Sequence, residues 1–219
     1  MSPQKLYPES GVELTPFLAR YYDQILNIGS VGKYGRFIHK AIQDTGIRPG
    51  DTIIDLGCGT GRNAALMLPN LGEAGKVTGV DLSPIMQQQF ERRFAGEERA
   101  RFFKHRIDIP FDLGEKADII FISFVIHGFP HEVREAILSN VRNNLKPKGV
   151  FVILDYAEFD LQKMPWLHRS IFKLFECPYA FDFIERDWKK ILSEKGFETT
   201  FEEFYFWNYI RLLKSRSLQ

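Results

Sequence analysis

The clearest chemical signal in the sequence is a carboxylate that stands directly before three alternate glycines. Asp55 precedes Gly57, Gly59 and Gly61. Glycine has no Cβ, so it adopts positive φ readily and lets a ligand approach the backbone closely. A carboxylate at such a turn repels a phosphate group and attracts an ammonium group. We therefore expect the turn to bind a ligand that carries an amino group.

A second carboxylate follows the last of these glycines by about 20 residues. Folds that bind a cofactor at a glycine turn often place a second contact to it at this distance. Asp81 ends the short apolar run Lys76–Val80, and a carboxylate there can accept hydrogen bonds from both hydroxyls of a ribose. Ser83 is a suitable N-cap for a helix whose first turn contains Pro84. Asp81 alone does not distinguish a nicotinamide dinucleotide from another nucleoside cofactor.

The glycine spacing argues against the two best-known phosphate-binding turns. Gly57, Gly59 and Gly61 read G-x-G-x-G, which lacks the last glycine of the dinucleotide fingerprint. The stretch also lacks the Lys-Ser/Thr pair that ends the phosphate-binding loop of nucleotide hydrolases. A nucleotide-binding dehydrogenase therefore becomes the weaker alternative.

Two apolar runs must position these groups. Thr52–Leu56 is rich in β-branched residues, and Ala117–Val125 (ADIIFISFV) is apolar almost throughout, so both predict strands buried on two faces of a parallel sheet. From Arg62 the pattern becomes helical. Ligands of open α/β sheets lie outside the carboxyl ends of the strands. Ser123 and Phe124 are thus expected beside the ligand.

Two residues near those strand ends are candidates for catalysis. His127 follows the second apolar run, and its ordinary pKa near about 6.5 suits a general base or a hydrogen-bond partner of the substrate. The alternative is a loop histidine with a structural role. Tyr156 follows the predicted strand Val150–Leu154 and either faces the substrate or packs under a loop.

The stretch DTIIDLGCGTGRN resembles the first motif of the class I S-adenosylmethionine (SAM) dependent methyltransferases, D-L-G-C-G-T-G. The string YYDQILNIGSVGKYGRF, which precedes it, resembles the region before the SAM domain in the ubiquinone and menaquinone biosynthesis C-methyltransferases. The resemblance implies SAM as the cofactor, and it implies these cofactor-binding residues: Tyr22, Asp55, Gly57, Cys58, Gly59, Asp81, Leu82, Met86, Asp108, Ile109, Ser123 and Phe124.

The sequence departs from the pattern of that group in two places. The group has an acid after the third strand that accepts the adenine amino group; we assign this role to Asp108, although strict spacing would place His105 there. Aligned on Phe124, the F-G-L-R-N motif of the group has Arg where this chain has His127, and Asn where it has Gly128.

The expected fold is an α/β, seven-stranded, mostly parallel, doubly wound methyltransferase sheet with an antiparallel last strand. We expect an N-terminal helical cover over residues 1–46, a SAM-dependent domain over 47–213, and a lid over about 157–184. The predicted helices are Pro16–Leu26, Val31–Ile42, His131–Lys146 and Glu185–Gly196. The remaining predicted strands are Arg101–Ile107, Phe197–Phe204 and Tyr205–Leu213.

Composition limits the setting and the partners. The 29 Lys and Arg balance 28 Asp and Glu, so no overall field attracts nucleic acid. Cys58 and Cys177 fit no metal spacing, and we expect no metal and a reduced, cytoplasmic setting. No apolar run reaches about 18 residues, so we expect no membrane span, while contact with a membrane surface stays open.

The aromatic residues, 20 Phe, 8 Tyr and 3 Trp, suggest the class of acceptor. Many of them lie in the predicted lid, from Trp166 to Phe183, where they either form an apolar pocket or complete the core. The predicted function is methyl transfer from SAM to a small apolar acceptor such as a quinone, a phenol or a lipid-like molecule. A phospholipid or small-amine N-methyltransferase and a non-catalytic SAM-binding regulator are the alternatives.

Overall fold

The structure of the protein, a computed structural model, describes residue 10 and residues 34–218. Its strands are β1 (Thr52–Leu56), β2 (Lys76–Asp81), β3 (Ala100–Lys104), β4 (Ala117–Ser123), β5 (Leu145–Tyr156), β6 (Phe197–Tyr205) and β7 (Ile210–Ser217). Its α-helices are α1 (Tyr34–Thr45), α2 (Arg62–Leu71), α3 (Pro84–Arg93), α4 (His131–Asn144), α5 (Trp166–Phe175), α6 (Pro178–Glu185) and α7 (Trp188–Glu194). Short 3₁₀ turns cover Ile126–Gly128 and Leu161–Lys163.

The strands form one sheet in the order β3-β2-β1-β4-β5-β7-β6, and β7 runs antiparallel to both of its neighbours. The fold class predicted from the sequence is confirmed. Along the parallel part, Leu56 pairs with both Val80 and Ile122, and Ser123 pairs with Leu154. The carboxyl ends of β2, β1, β4 and β5 therefore lie side by side at one edge of the sheet.

Both faces of the central strands are buried, as their continuous apolar character predicts. Ile53 and Ile119 face a core that α1 and α2 complete, whereas Ile54 and Ile120 face the core that contains α4, α6 and α7. Adjacent strand residues point to opposite faces, so each strand contributes to both cores. The central sheet is therefore a well-packed support for the side chains at the carboxyl ends of its strands.

Several element boundaries differ from the prediction. β5 begins at Leu145, since Leu145 already pairs with Ala117 across an irregularity in the β4–β5 ladder. The predicted helix Glu185–Gly196 is shorter in the structure, because Glu185 ends α6 and Asp187 caps α7 by accepting from the Lys190 N–H at 3.0 Å. Lys195 is the C-cap of α7, and Gly196 follows it with a φ of +80°, one position beyond the C-cap role predicted for this glycine.

The third strand stops at Lys104, before its predicted end at Ile107, and the last strand lies further along the chain than predicted. Residues 206–209 form the turn between β6 and β7, so β7 runs from Ile210 to Ser217. The predicted helix Pro16–Leu26 lies outside the described residues, and the predicted helix Val31–Ile42 corresponds to α1. In the described ranges, no helix is both long and apolar enough to cross a membrane.

Candidate active site at the carboxyl edge of the sheet

The glycine turn between β1 and α2 depends on missing Cβ atoms. Gly57 has a φ of +69°, and a Cβ there would lie 2.6 Å from the Val125 side chain. Gly61 has a φ of +77°, and a Cβ there would lie 2.6 Å from the Phe90 ring. The N–H groups of Gly57 and Cys58 both donate to the Val80 carbonyl, at 2.8 and 3.3 Å. These contacts fix the turn tightly against β2.

The carboxyl group of Asp55 is buried without a hydrogen bond. Its side chain is 1% exposed, and neither oxygen has a hydrogen-bond partner in the described part of the chain. Burial, with a further contribution from the nearby Asp81 charge, raises the pKa of Asp55 to about 8. A carboxylate in this position needs a cation beside it to be ionised at neutral pH.

Asp81 has the opposite arrangement, because two backbone groups already bind it. Its carboxylate accepts from the N–H of Gly59 at 3.0 Å and from the N–H of Ser83 at 2.8 Å. Burial raises the pKa of Asp81, although these backbone donors oppose the shift. Leu82 is half-exposed beside it, whereas Met86 is buried in the first turn of α3. Asp81 thus holds the glycine turn and the start of α3 together.

The residues after β3 offer two acceptors for a ligand. The Asp108 carboxylate binds the Arg106 guanidinium through Nε at 3.0 Å and Nη2 at 2.5 Å, and Ile109 beside it is 41% exposed. His105 places Nδ1 at 2.7 Å from the Arg106 carbonyl. Because a carbonyl only accepts, Nδ1 carries the proton, and Nε2 of a neutral His105 is an acceptor. Both assignments for an adenine contact therefore stay predictions.

The end of β4 is constrained by its neighbours. The Ser123 hydroxyl accepts from Asn63 Nδ2 of α2 at 2.8 Å. Phe124 has a φ of +52°, which is an unusual conformation for a non-glycine residue and typical of functional sites. Its ring lies 6.2 Å from that of Phe37, in α1. The predicted contact Tyr22 lies outside the described residues.

His127 is held by a buried carboxylate at the end of β5. Its Nδ1 lies 2.7 Å from Oδ1 of Asp155, whose side chain is 1% exposed. The same oxygen accepts from the Tyr156 N–H at 2.8 Å. Since a carboxylate only accepts, the imidazole carries a proton on Nδ1 and directs Nε2 away from Asp155. This is the arrangement in which a histidine is oriented to exchange a proton at Nε2.

A carboxylate that follows α5 completes the cluster. Tyr156 donates its hydroxyl to Oε1 of Glu176 at 2.6 Å, and Oε2 of Glu176 lies 3.5 Å from Nε2 of His127. Burial lowers the pKa of His127, but the charges of Asp155 and Glu176 outweigh it and the pKa is raised. Burial and the Glu176 charge raise the pKa of Tyr156, which therefore remains a neutral donor.

Arg134 joins the loop that carries His127 to α6. Its side chain is fully buried, and its guanidinium donates to the carbonyls of His127 at 3.0 Å and Tyr179 at 2.6 Å. It also donates to Asp182 at 2.6 Å. On the other side of the loop, the Ser10 hydroxyl donates to the Gly128 carbonyl at 2.6 Å. The position of His127 is thus set by residues from several parts of the chain.

The sequence predicted His127 and Tyr156 as catalytic candidates, and the structure brings them together, with ring centroids 5.1 Å apart. It did not assign a role to Asp155, Glu176 or Arg134. Two signals were available: Asp155 directly precedes Tyr156 at a strand end, and Glu176 is the one acid within residues 161–181. No signal for Arg134 stands out, because arginine is common on the exposed face of an amphipathic helix.

Comparisons with known proteins find methyltransferases among the similar chains and folds. Residues 53–149 match a family model described as a methyltransferase domain. The chain is 28% identical to an uncharacterized methyltransferase of Synechocystis sp., over 86% of each protein. It is 27% identical to the demethylmenaquinone methyltransferase of Lactobacillus johnsonii, over 80% of this chain and 72% of that protein. Among solved structures, a SAM-dependent methyltransferase from Aquifex aeolicus has the same fold, with a TM-score of 0.61 at 19% identity over 82% of this chain and 88% of that chain.

Proposed function

We propose that this chain, a SAM-dependent methyltransferase, methylates an apolar acceptor whose phenolic or enolic oxygen binds between His127 and Tyr156. The observation that carries the proposal is the position of Glu176. Its two carboxylate oxygens lie 2.6 Å from the Tyr156 hydroxyl and 3.5 Å from His127 Nε2. Tyr156 therefore already donates to one oxygen atom, and His127 Nε2 lies near another, at the position that an acceptor oxygen would take.

SAM is the cofactor, as the resemblance implied, and the residues of the glycine turn suit it. The buried, unpartnered carboxyl of Asp55 matches the ammonium group of its methionine part. We assign the ribose hydroxyls to the remaining lone pairs of Asp81, and the adenine to the surface formed by Leu82, Met86 and Ile109. A Cβ at Gly59 would meet only the Met86 sulfur, at 3.9 Å, so this glycine leaves room for close approach to the backbone.

Aromatic rings around the oxygen-binding pair support an apolar acceptor. Phe172 lies 5.1 Å from Tyr156, and Phe183 lies 6.3 Å from His127, measured between ring centroids. Phe181 continues this wall, 5.3 Å from Phe172. The similarity to a demethylmenaquinone methyltransferase is in keeping with a ring of the quinone class. We propose that residues 157–184 are a lid, and that residues 1–46 are the N-terminal cover of the site.

SAM supplies an electrophilic methyl group when bound, so the chain's own task is to orient the acceptor and remove its proton. Asp155 keeps the Nδ1 proton of His127 in place, which leaves Nε2 as the atom that takes the acceptor proton. In the structure, the charge of Glu176 raises the pKa of His127. When an acceptor oxygen replaces the Glu176 carboxylate, this effect is lost, the pKa falls and Nε2 becomes a base.

A second candidate is N-methylation of an apolar amine. Asp155 and Glu176 place two carboxylates beside the same pair of rings, and such a pair also attracts an alkylammonium group. The two candidates differ in what His127 does, because an amine that reaches the site unprotonated needs no base for the transfer step.

The test measures transfer of the radiolabelled methyl group of SAM to a prenylated naphthohydroquinone and, separately, to dodecylamine. We expect label in the hydroquinone, and we expect His127→Ala to lower kcat at least about 10²-fold without changing the affinity for S-adenosylhomocysteine. His39→Ala, at an exposed histidine of α1, is the matched control. Label in the amine alone, or normal turnover by His127→Ala, would overturn the proposal.

A further inference from the structure

The outer face of α5 is apolar and lies in solvent. Trp166, Leu167, Ile171 and Leu174 are each between 49% and 76% exposed. At about 100° per residue, these four side chains lie on one side of the helix, with Ser170 among them. Soluble proteins rarely expose so many large apolar residues together without a binding partner. We therefore expect this surface to bind a partner.

The surface continues onto the turn between β6 and β7. The Trp207 ring lies 5.5 Å from the His168 ring of α5, and Trp207 is 78% exposed. Phe206, Trp207 and Asn208 all have positive φ, between 49° and 68°. Two aromatic residues in this conformation store backbone strain, which persists only where the surroundings impose it. The turn thus holds a second tryptophan outward next to the exposed face of α5.

The charged side chains of α5 itself are positive. α5 contains Arg169 and Lys173 and no acidic residue. By helical spacing these two residues occupy the edge next to Trp166, opposite the edge that faces Trp207. Exposed Lys163 precedes the helix, and its nearest acidic partner, Asp160, is 3.8 Å away, so it adds a weakly compensated charge. The surface therefore combines an apolar centre, tryptophans and a cationic edge.

We propose that the outer face of α5 and the Phe206–Trp207 turn dock onto an anionic membrane surface. Tryptophan prefers the boundary between headgroups and acyl chains, and a helix with an apolar face and basic edges lies in that boundary. Lys and Arg beside it attract acidic lipids. The opposite face of α5 carries Phe172, which packs against Tyr156. The helix that docks therefore also covers the proposed acceptor site.

Flotation with vesicles tests the proposal without any acceptor, so its outcome does not depend on the proposed function. The full chain is mixed with phosphatidylcholine vesicles that either lack or contain 30% phosphatidylglycerol. We expect flotation with the anionic vesicles and a blue shift of tryptophan fluorescence. Leu174→Ser and Trp207→Ser should each weaken binding about tenfold or more, and Lys173→Glu should weaken it for the anionic vesicles.

Matched controls keep the outcome specific. Leu218 is 64% exposed near the C-terminus, and Lys104 is exposed on β3, at the edge of the sheet opposite to β6. Leu218→Ser and Lys104→Glu should bind vesicles like the unchanged chain, and all variants should keep their melting temperature. Equal losses in variants and controls, or no vesicle binding, would overturn the proposal. So would a dimer in sedimentation velocity that Leu174→Ser dissociates, since the occupant would then be a second copy of this chain.

Discussion

Asp55→Asn should make the cofactor-free protein more stable at neutral pH. In the unfolded chain the carboxyl has an ordinary pKa of 3.8, and in the folded chain burial raises its pKa to about 8. Between these values folding requires Asp55 to take up a proton, so the folded state loses stability as pH rises through this window. Asn has nearly the same shape and needs no proton.

The magnitude follows from the two pKa values. At pH 7 the cost of protonating Asp55 is on the order of 1.36 kcal/mol for each of roughly 3 pH units above 3.8, or about 4 kcal/mol. For a chain of this size, 1 kcal/mol corresponds to about 2–4 °C in melting temperature, so an increase on the order of 10 °C is expected. At pH 4 the variant and the unchanged chain should melt at nearly the same temperature.

Calorimetry with S-adenosylhomocysteine tests whether Asp55 loses its proton when an ammonium group binds beside it. Its ammonium group should ionise Asp55, so at pH 7 binding should release about 0.9 proton, measured from the dependence of binding heat on the buffer. Asp55→Asn should release none from this group and bind about 10- to 150-fold more weakly.

The control is Asp112→Asn, at an exposed carboxylate that accepts from the Gly114 N–H. A variant of Asp55 that is less stable at pH 7 than the unchanged chain, together with proton release that survives the substitution, would refute the reasoning.

Two further predictions concern the proposed lid. Glu176→Gln removes one of the charges that raise the pKa of His127, so the acid limb of the pH profile of kcat/KM should move to lower pH; an unmoved limb would show that this charge does not act on His127. Phe172→Ala should lower the free energy of unfolding by about 3–5 kcal/mol because the ring is 7% exposed and packed on Tyr156. Trp166→Ala, at a residue that is 72% exposed, should stay within about 0.5 kcal/mol in the same denaturant titration.

The fold could be predicted from sequence because its main signals are local. A buried parallel strand needs apolar side chains on both faces, and Thr52–Leu56 and Ala117–Ser123 show this without reference to the rest of the chain. The turn at Gly57 needs positive φ and no Cβ, which is a property of one residue and its backbone. Boundaries were less certain where pairing with another strand extends an element, as it does for β5.

The sequence predicted mainly those site residues that lie at or near the end of a strand. Asp55 and Asp81 looked alike in sequence, yet two backbone N–H groups bind Asp81 whereas Asp55 has no hydrogen bond in the described residues. That difference arises from the direction each side chain takes around the glycine turn. Likewise, Glu176 is 49 positions from His127, and no local pattern relates two residues that meet through the packing of a helix.

The sequence by itself determined that α5 has an apolar and aromatic face, because helical spacing places side chains on faces regardless of context. It did not determine which residues point inward. The tertiary structure buries Phe172 against Tyr156 and leaves Trp166 and Leu174 in solvent. The physical reason is that a helix with apolar residues around most of its circumference can bury any of its sides. Only the position of the neighbouring rings, brought together by the sheet, selects one.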